Sequence, residues 1–404
     1  MVLRLTKREF LRFSGAGIAC ALWSGEGPPW GRTVAVVENN ILKAIEASDG
    51  AGAEKLLAEN VGRGMDPWQI HLSLFPVAQR VLNPPFINPH LPKMYAINRE
   101  LVLYLEKDRI ASLVALEIQE YARRAKMEKI PRARASVSTV SFTDIESAIR
   151  EKDTAKAATL MAAFCDQKGR TKFARRLLLL GSGYLKVSLG HSLSCTAFIL
   201  LEMLHRRDQD PWRALCALAN YFCLGGFQST PALESSPPFP TGAELESHLS
   251  RASSGRGFTN LHHTITGYAV ARVREFFTQA EENHLWKAWM EFLGNKKEER
   301  VTLEDREPGE LEDYDRFYAG FSAGKAKSLV ASFRHKIGSE EGRRRIGRFL
   351  IQGLCDQYRG SYDPHFLTGL GSSLWILGRY WSNQPLATQA LIQYLDFFFN
   401  NRKS

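Results

Sequence analysis

The stretch that decides the fold is NPHLPKMYA at residues 88–96, because three further stretches repeat its pattern. In each copy a histidine is followed six residues later by a small residue, and the other copies are LGHSLSCTA (189–197), LHHTITGYA (261–269) and DPHFLTGLG (363–371). The offset is 173 residues from His90 to His263 and 174 from His191 to His365. Two nearly equal offsets predict an internal duplication with two copies of the turn in each half.

Other segments match at a similar offset. Residues 95–99 (YAINR) correspond to 268–272 (YAVAR), and residues 156–164 (KAATLMAAF) correspond to 325–333 (KAKSLVASF). From about residue 34 onward apolar residues recur every three or four positions, which indicates helices throughout. The sequence therefore predicts an all-α fold, a duplicated helical-repeat array of two pseudo-equivalent halves around a central pocket.

The predicted halves are residues 35–208 and residues 209–402, packed together as one body. Helical repeats bury a continuous core by stacking, so we do not expect either half to fold alone. The Gly- and Pro-rich segment 224–241 (LGGFQSTPALESSPPFPT) is the best candidate for a lid or for a linker between the halves.

Residues 1–33 are predicted to be an export signal and linker. Residues 6–12 (TKREFLR) precede a mildly apolar stretch and then SGEGPPWG at 24–31, which resembles a twin-arginine signal in which Lys7 replaces the first arginine. The resemblance implies the twin-arginine export machinery as a partner and a location in the periplasm or cell envelope. An amphipathic first helix is the alternative interpretation.

Composition narrows the possible function classes. With 44% hydrophobic and 24% charged residues the 404-residue chain is typical of a globular protein, and no apolar run is long enough to cross a membrane. The net charge of +10 is scattered along the chain, so no nucleic-acid surface is predicted. The six cysteines form no CxxC pair, and Walker A, GxGxxG, GxSxG and HExxH motifs are absent from the sequence.

The repeated histidines are the candidate functional residues. Asn88-Pro89-His90 and Asp363-Pro364-His365 have the residue order of a helix N-terminus, where the helix dipole disfavours a charged imidazolium. Neutral rings there suit binding of a metal, a haem or an oxygenated ring system in one pocket. In the alternative interpretation each ring only bonds the backbone of the preceding loop and stabilises the repeat.

The predicted site was assigned residue by residue. His191, His263 and His365 are the candidate catalytic residues, and His90 and His262 are candidate ligand-binding residues. Glu202 joins the ligand-binding set because it lies eleven residues, or three helical turns, after His191. The sequence does not identify a metal or other cofactor, and a small-molecule ligand is the expected partner.

The phrase LHHTITGYAVAR at 261–272, together with GHSLS at 190–194 and the helices led by His90 and His365, resembles the questin oxidase-like family. The resemblance implies an all-helical oxidoreductase that oxygenates an aromatic or polycyclic ligand with electrons from NADPH. The alternative function is a non-catalytic helical scaffold or binding protein of the cell envelope, which contacts its partner through residues 224–241.

Overall fold

A computed structural model describes residues 40–133, 139–206, 209–233, 242–298, 303 and 313–402. Within these ranges the chain is helical and has no β-strand, which confirms the predicted all-α class. No helix among the described residues is long and apolar enough to cross a lipid bilayer. The predicted export signal lies outside the described residues, as do residues 234–241 of the predicted lid or linker.

The helices are numbered here in chain order. The first part of the chain forms α1 (Asn40–Glu46), α2 (Gly50–Gly62), α3 (Pro67–Ser73), α4 (Phe75–Ala78), α5 (His90–Leu101), α6 (Lys107–Ala122), α7 (Phe142–Arg150), α8 (Thr154–Lys168), α9 (Arg170–Ser182) and α10 (His191–His205). The second part forms α11 (Trp212–Gly225), α12 (Ala243–Ser253), α13 (Phe258–Val273), α14 (Gln279–Leu293), α15 (Tyr314–Ser322), α16 (Ala326–Phe333), α17 (Glu340–Asp356), α18 (His365–Arg379) and α19 (Gln384–Asn401).

Four helices, α5, α10, α13 and α18, form a closed ring at the centre of the molecule. Each of them packs against two of the others, in the order α5, α10, α13, α18 and back to α5. The ring helices run parallel, since residues at similar distances from the first residues of these helices meet. The rings of Phe198 and Tyr268 lie 5.2 Å apart, and those of Tyr268 and Trp375 lie 5.3 Å apart.

The small residues six positions after the repeated histidines allow this close packing. A Cβ atom on Gly371 would lie only 2.5 Å from the Cγ2 of Ile97 on α5. The corresponding alanines are Ala96, Ala197 and Ala269, and all are buried. Larger side chains at this level would push the ring helices apart.

The remaining helices cover the ring. On one side α9 packs on α10, while α8 packs on α9 and α11. On the other side α6 packs on α17 and α2, and α19 packs on α18 and α12. One continuous hydrophobic core results. The ring takes two helices from each predicted half, although the division at residue 208 and the duplication stay predictions.

Candidate metal centre

Four histidine rings meet inside one end of the central ring of helices. His90, His191 and His365 are the first residues of α5, α10 and α18, and His262 is the fifth residue of α13. Because the helices are parallel, their N-terminal ends lie together and bring the four rings to one point. Each of these side chains is at most 3% exposed.

The four Nε2 atoms face each other, with His191 at the centre of the group. The Nε2 atom of His191 lies 2.7 Å from that of His90, 3.1 Å from that of His262 and 3.4 Å from that of His365. The donor atoms of His90, His191 and His365 all lie within 4.8 Å of one another. We call His90, His191, His262 and His365 the histidine cluster.

The opposite ring nitrogen, Nδ1, is fixed by the loop or turn before each histidine. The Nδ1 of His191 lies 2.7 Å from the carbonyl oxygen of Ser188, and that of His262 lies 2.7 Å from the carbonyl oxygen of Phe258. A carbonyl oxygen only accepts hydrogen bonds, so Nδ1 is the donor in both rings. In the neutral rings the unprotonated nitrogen is then Nε2, and its lone pair points into the cluster.

His365 is held by a carboxylate. The Oδ1 of Asp363 accepts from the backbone N–H of His365 at 2.9 Å and lies 2.6 Å from its Nδ1. Burial, the largest influence, lowers the pKa of His365, and the Asp363 carboxylate opposes that change. A carboxylate on the outer nitrogen increases the basicity of the inner one, which is the arrangement common around metal-binding histidines.

His90 differs from the other three rings. Its Nδ1 lies 3.1 Å from the amide nitrogen of Asn83, while the Oδ1 of Asn83 accepts a hydrogen bond from Arg124. With this amide orientation Asn83 donates to His90, so the neutral ring carries its proton on Nε2 and donates to His191. Binding of a metal through the Nε2 of His90 therefore requires the Asn83 amide to turn its oxygen toward the ring.

The cluster contains neutral imidazoles. Burial is the main cause that holds the pKa values of His90, His191 and His262 well below the ordinary value, and the neighbouring rings lower them further. Three inward lone pairs about 3 Å apart repel one another, and a single proton on His90 satisfies only one of them. A cation at the centre would satisfy all of them, so the arrangement suits a metal ion.

The spacing of the nitrogens also suits one ion. A tetrahedral site with metal–nitrogen bonds of about 2.0–2.1 Å has its nitrogens about 3.3 Å apart. The distances of His191 Nε2 from its three neighbours are 2.7, 3.1 and 3.4 Å. The donor atoms of His90, His191 and His365 are close enough to share one ion after small movements of their rings, and His262 approaches this set through its contact with His191.

Two residues of the predicted site lie elsewhere. His263 is adjacent to His262 but does not join the cluster, and its ring packs against that of Phe292 with the centroids 4.7 Å apart. Consecutive helical residues differ by about 100° in direction, so only one of the pair can face the interior of the ring. The sequence match at offset 173 aligned His263 with His90, whereas α13 begins at Phe258 and presents His262 instead.

Glu202 does not border the cluster either. Its carboxylate accepts from Arg99 at 2.8 Å and from Arg206 at 3.1 Å, and it is 2% exposed. Burial raises the pKa of Glu202, but the two guanidinium groups outweigh this and lower it to about 2. The three residues form an ion-pair network that joins α5 to α10. Glu202 is therefore paired with Arg99 and Arg206 and does not line the predicted ligand pocket.

Three further residues of the centre were not found from the sequence. Asn83 and Arg124 support His90 from outside the ring, and Lys93 is a fully buried amine one turn after His90. A lysine among apolar helical residues was a signal available in NPHLPKMYA. Asn83 and Arg124 carry no local signal, because their roles depend on contacts across 41 residues of chain.

Aromatic side chains line the outer side of the cluster. Phe86 lies edge-on to His90 at 6.4 Å between ring centroids and is 57% exposed. Phe258 contacts His262 at 4.4 Å and His365 at 4.8 Å and is 40% exposed. We call Phe86 and Phe258 the aromatic rim. Two exposed aromatic side chains thus contact the histidine cluster.

The two interpretations of the histidines given above are compatible with one another. Ser188, Phe258 and Asp363 show that the outer nitrogens do bond the preceding turns, while the inner nitrogens converge.

In comparisons with known proteins the chain matched no family model, no curated protein and no solved structure.

Proposed function

We propose that this protein is a metalloprotein whose histidine cluster binds one ion of a first-row transition metal. The observation that carries the proposal is the convergence of three Nε2 atoms on the Nε2 of His191, while carbonyl or carboxylate oxygens hold three of the four Nδ1 atoms. Imidazole nitrogen suits zinc, copper, iron and nickel, whereas magnesium and calcium prefer oxygen ligands.

Metal content tests this proposal. Protein freed of metal with a chelator and then loaded with Zn²⁺, Cu²⁺ or Fe²⁺ should retain about one ion per chain, measured by elemental analysis after gel filtration. His191→Asn removes the central nitrogen and should lower retention far below one ion. His335→Asn is the matched control, because His335 lies on the short helical turn after α16 and not in the cluster. Equal retention in both variants would contradict the proposal.

For the reaction, we infer an oxidoreductase of the oxygenase type that acts on an aromatic or polycyclic ligand. Two features support it: the resemblance to the questin oxidase-like family and the aromatic rim, because aromatic faces stack on planar apolar ligands. The overall reaction inserts one oxygen atom of O₂ into the substrate and releases the other as water. A reduced nicotinamide supplies the two electrons required.

Oxygen uptake separates this function from the alternative, a non-catalytic envelope scaffold. Iron- or copper-loaded protein is mixed with NADPH and a hydroxylated anthraquinone, and O₂ consumption and product mass are measured. An oxygenase gives a product 16 Da heavier and consumes one O₂ for each nicotinamide oxidised, and Phe258→Ala should slow the reaction. A fully loaded protein that consumes no O₂ with any such ligand favours the scaffold.

We also propose export through the twin-arginine route, on the basis of residues 6–12 and the breaker-rich segment after them. That route carries folded proteins, which fits a protein that takes up its metal before transport. Fractionation of cells that produce the full chain tests the proposal: the processed protein should be found outside the cytoplasm. Lys7→Gln together with Arg8→Gln should keep it in the cytoplasm.

A further inference from the structure

Lys93 is a buried amine beside the histidine cluster, and burial lowers its pKa. It lies one helical turn after His90 on the same face of α5, and its side chain is 0% exposed. Its Nζ atom has no hydrogen-bond partner among the described residues. An amine with three donors and no acceptor is costly to bury, so the position of Lys93 calls for a ligand.

Lys93 lies close to the whole cluster. Its positive charge lowers the pKa values of His90, His191, His262 and His365, which come from four different helices. Burial lowers the pKa of Lys93, and Cys195 and Asp363 oppose this change, but the Oδ1 of Asp363 already accepts both hydrogen bonds from His365. The inner side of the cluster thus has an amine without a hydrogen-bond acceptor, and an anion beside it would favour its protonated form.

Thr368 gives a second polar group at the same level. It follows His365 by three residues, as Lys93 follows His90, and α5 and α18 are neighbouring parallel helices. Thr368 is 0% exposed, and its Oγ1 has no hydrogen-bond partner among the described residues. Two buried side chains that lack acceptors therefore lie below the histidine cluster, on adjacent helices.

Around the inner side of the histidine cluster, Asp363 is the carboxylate that opposes several sources of positive charge. Three ring helices begin at their cluster histidines, so the positive ends of their dipoles meet there. Lys93 adds a positive charge, and a bound metal ion would add two more. Asp363 compensates one of these charges and the neutral imidazoles compensate none, which leaves an excess that a small anion would balance.

We propose that the inner side of the histidine cluster binds a small oxygen- or nitrogen-donor anion, held by Lys93 Nζ and Thr368 Oγ1 and coordinated to the metal. The proposal rests on the metal centre proposed above and adds an exchangeable coordination position to it. Such an open position is typical of catalytic sites, whereas structural sites use protein ligands alone. The full burial of Lys93 and Thr368 limits the anion to a few atoms.

The test uses the full chain loaded with Co²⁺, whose visible absorption bands respond to a change of ligand. Azide and formate are titrated separately, and each should change the bands in a saturable way. Lys93→Met keeps the length of the side chain and removes the charge, and we expect it to weaken anion binding by about 10- to 100-fold with cobalt content unchanged. Thr368→Val should have a smaller effect in the same direction. His335→Asn is the control and should titrate like the unchanged protein.

The outcomes distinguish the two proposals. If the protein retains no Co²⁺, the metal centre itself is wrong. If it retains one Co²⁺ per chain but neither anion changes the spectrum, the metal centre stands and the anion site is overturned. If Lys93→Met binds both anions as tightly as the unchanged protein, the assignment of Lys93 is overturned. Should Lys93→Met not fold, Lys93→Gln gives the same comparison with a polar side chain.

Discussion

The two adjacent histidines of α13 allow a sharp test of the metal centre. His262 directs its Nε2 to His191 at 3.1 Å, whereas His263 packs against Phe292 and has no contact with the cluster. The same substitution at both positions, His262→Asn and His263→Asn, removes one imidazole in each case. We expect only His262→Asn to reduce the stabilisation that a bound metal ion gives to the folded protein.

The size of the effect follows from linkage. A ligand present at a thousand times its Kd stabilises the folded state by about 4 kcal/mol. Unfolding entropy is about 2.1 cal/mol/K per residue, so for 404 residues this corresponds to a rise in Tm of about 5 °C. If loss of one of four ligands weakens binding about 100-fold, the same metal concentration raises Tm by only about 2 °C.

The assay is thermal unfolding followed by circular dichroism, with and without Zn²⁺, for the unchanged protein and both variants. Each variant is compared with its own metal-free form, so that any cost of the substitution to folding cancels. His263→Asn should keep the shift of about 5 °C, and His262→Asn should lose most of it. Equal shifts in the two variants, or a larger loss in His263→Asn, would refute the placement of His262 as a ligand.

Three other predictions concern the surroundings of the centre. Asn83→Asp places a hydrogen-bond acceptor beside the Nδ1 of His90. Metal affinity should therefore rise about tenfold in a competition titration with a chelator. An unchanged affinity would contradict the tautomer assigned to His90. Glu202→Gln leaves two guanidinium groups buried without their carboxylate and should cost about 3–5 kcal/mol in urea unfolding; a cost below 1 kcal/mol would show that the network is dispensable. The pKa of Glu202 is depressed to about 2. Its contribution of about 3 kcal/mol to the free energy of unfolding is therefore present above pH 4.5 and should be lost as the pH falls from 4.5 toward 2. The Gln variant should not show this loss. Gly371→Val places branched carbons against Ile97, where even a Cβ would be 2.5 Å from Cγ2. The substitution should lower the free energy of unfolding by at least about 1–3 kcal/mol. A variant of unchanged Tm would show that α5 and α18 can separate without cost.

The class of fold could be predicted because helical periodicity is a local property. The turns around His90 and His365 also revealed helix starts, since proline before histidine is a local signal, and α5 and α18 begin at these residues. The N-caps of α5 and α18 differ in detail from those that the sequence predicts. Pro89 and Pro364 occupy the N-cap positions, and Asn88 contributes its carbonyl rather than its side chain.

The candidate site was less accessible to sequence reasoning. His263 matched the repeat in the sequence, but the direction of a side chain depends on where its helix begins and how the helix is rotated in the ring. Glu202 lies on a plausible face of α10, yet Arg99 and Arg206 are nearer to it than the cluster is. The contact between Arg99 and Glu202 joins residues 103 positions apart, and no local pattern records it.

The cluster draws its nitrogens from segments that are far apart in the chain. His90 and His191 are separated by 101 residues, His191 and His262 by 71, and α18 adds its histidine near the C-terminal end. Neither part of the chain contains the complete ligand set, so the proposed ion would be captured only after both parts of the chain have come together. The affinities of such sites follow a fixed order among the divalent metals, and the ion selected then depends on which metals are available where folding finishes. The place of folding, as much as the ligand set, would therefore determine which element this protein carries.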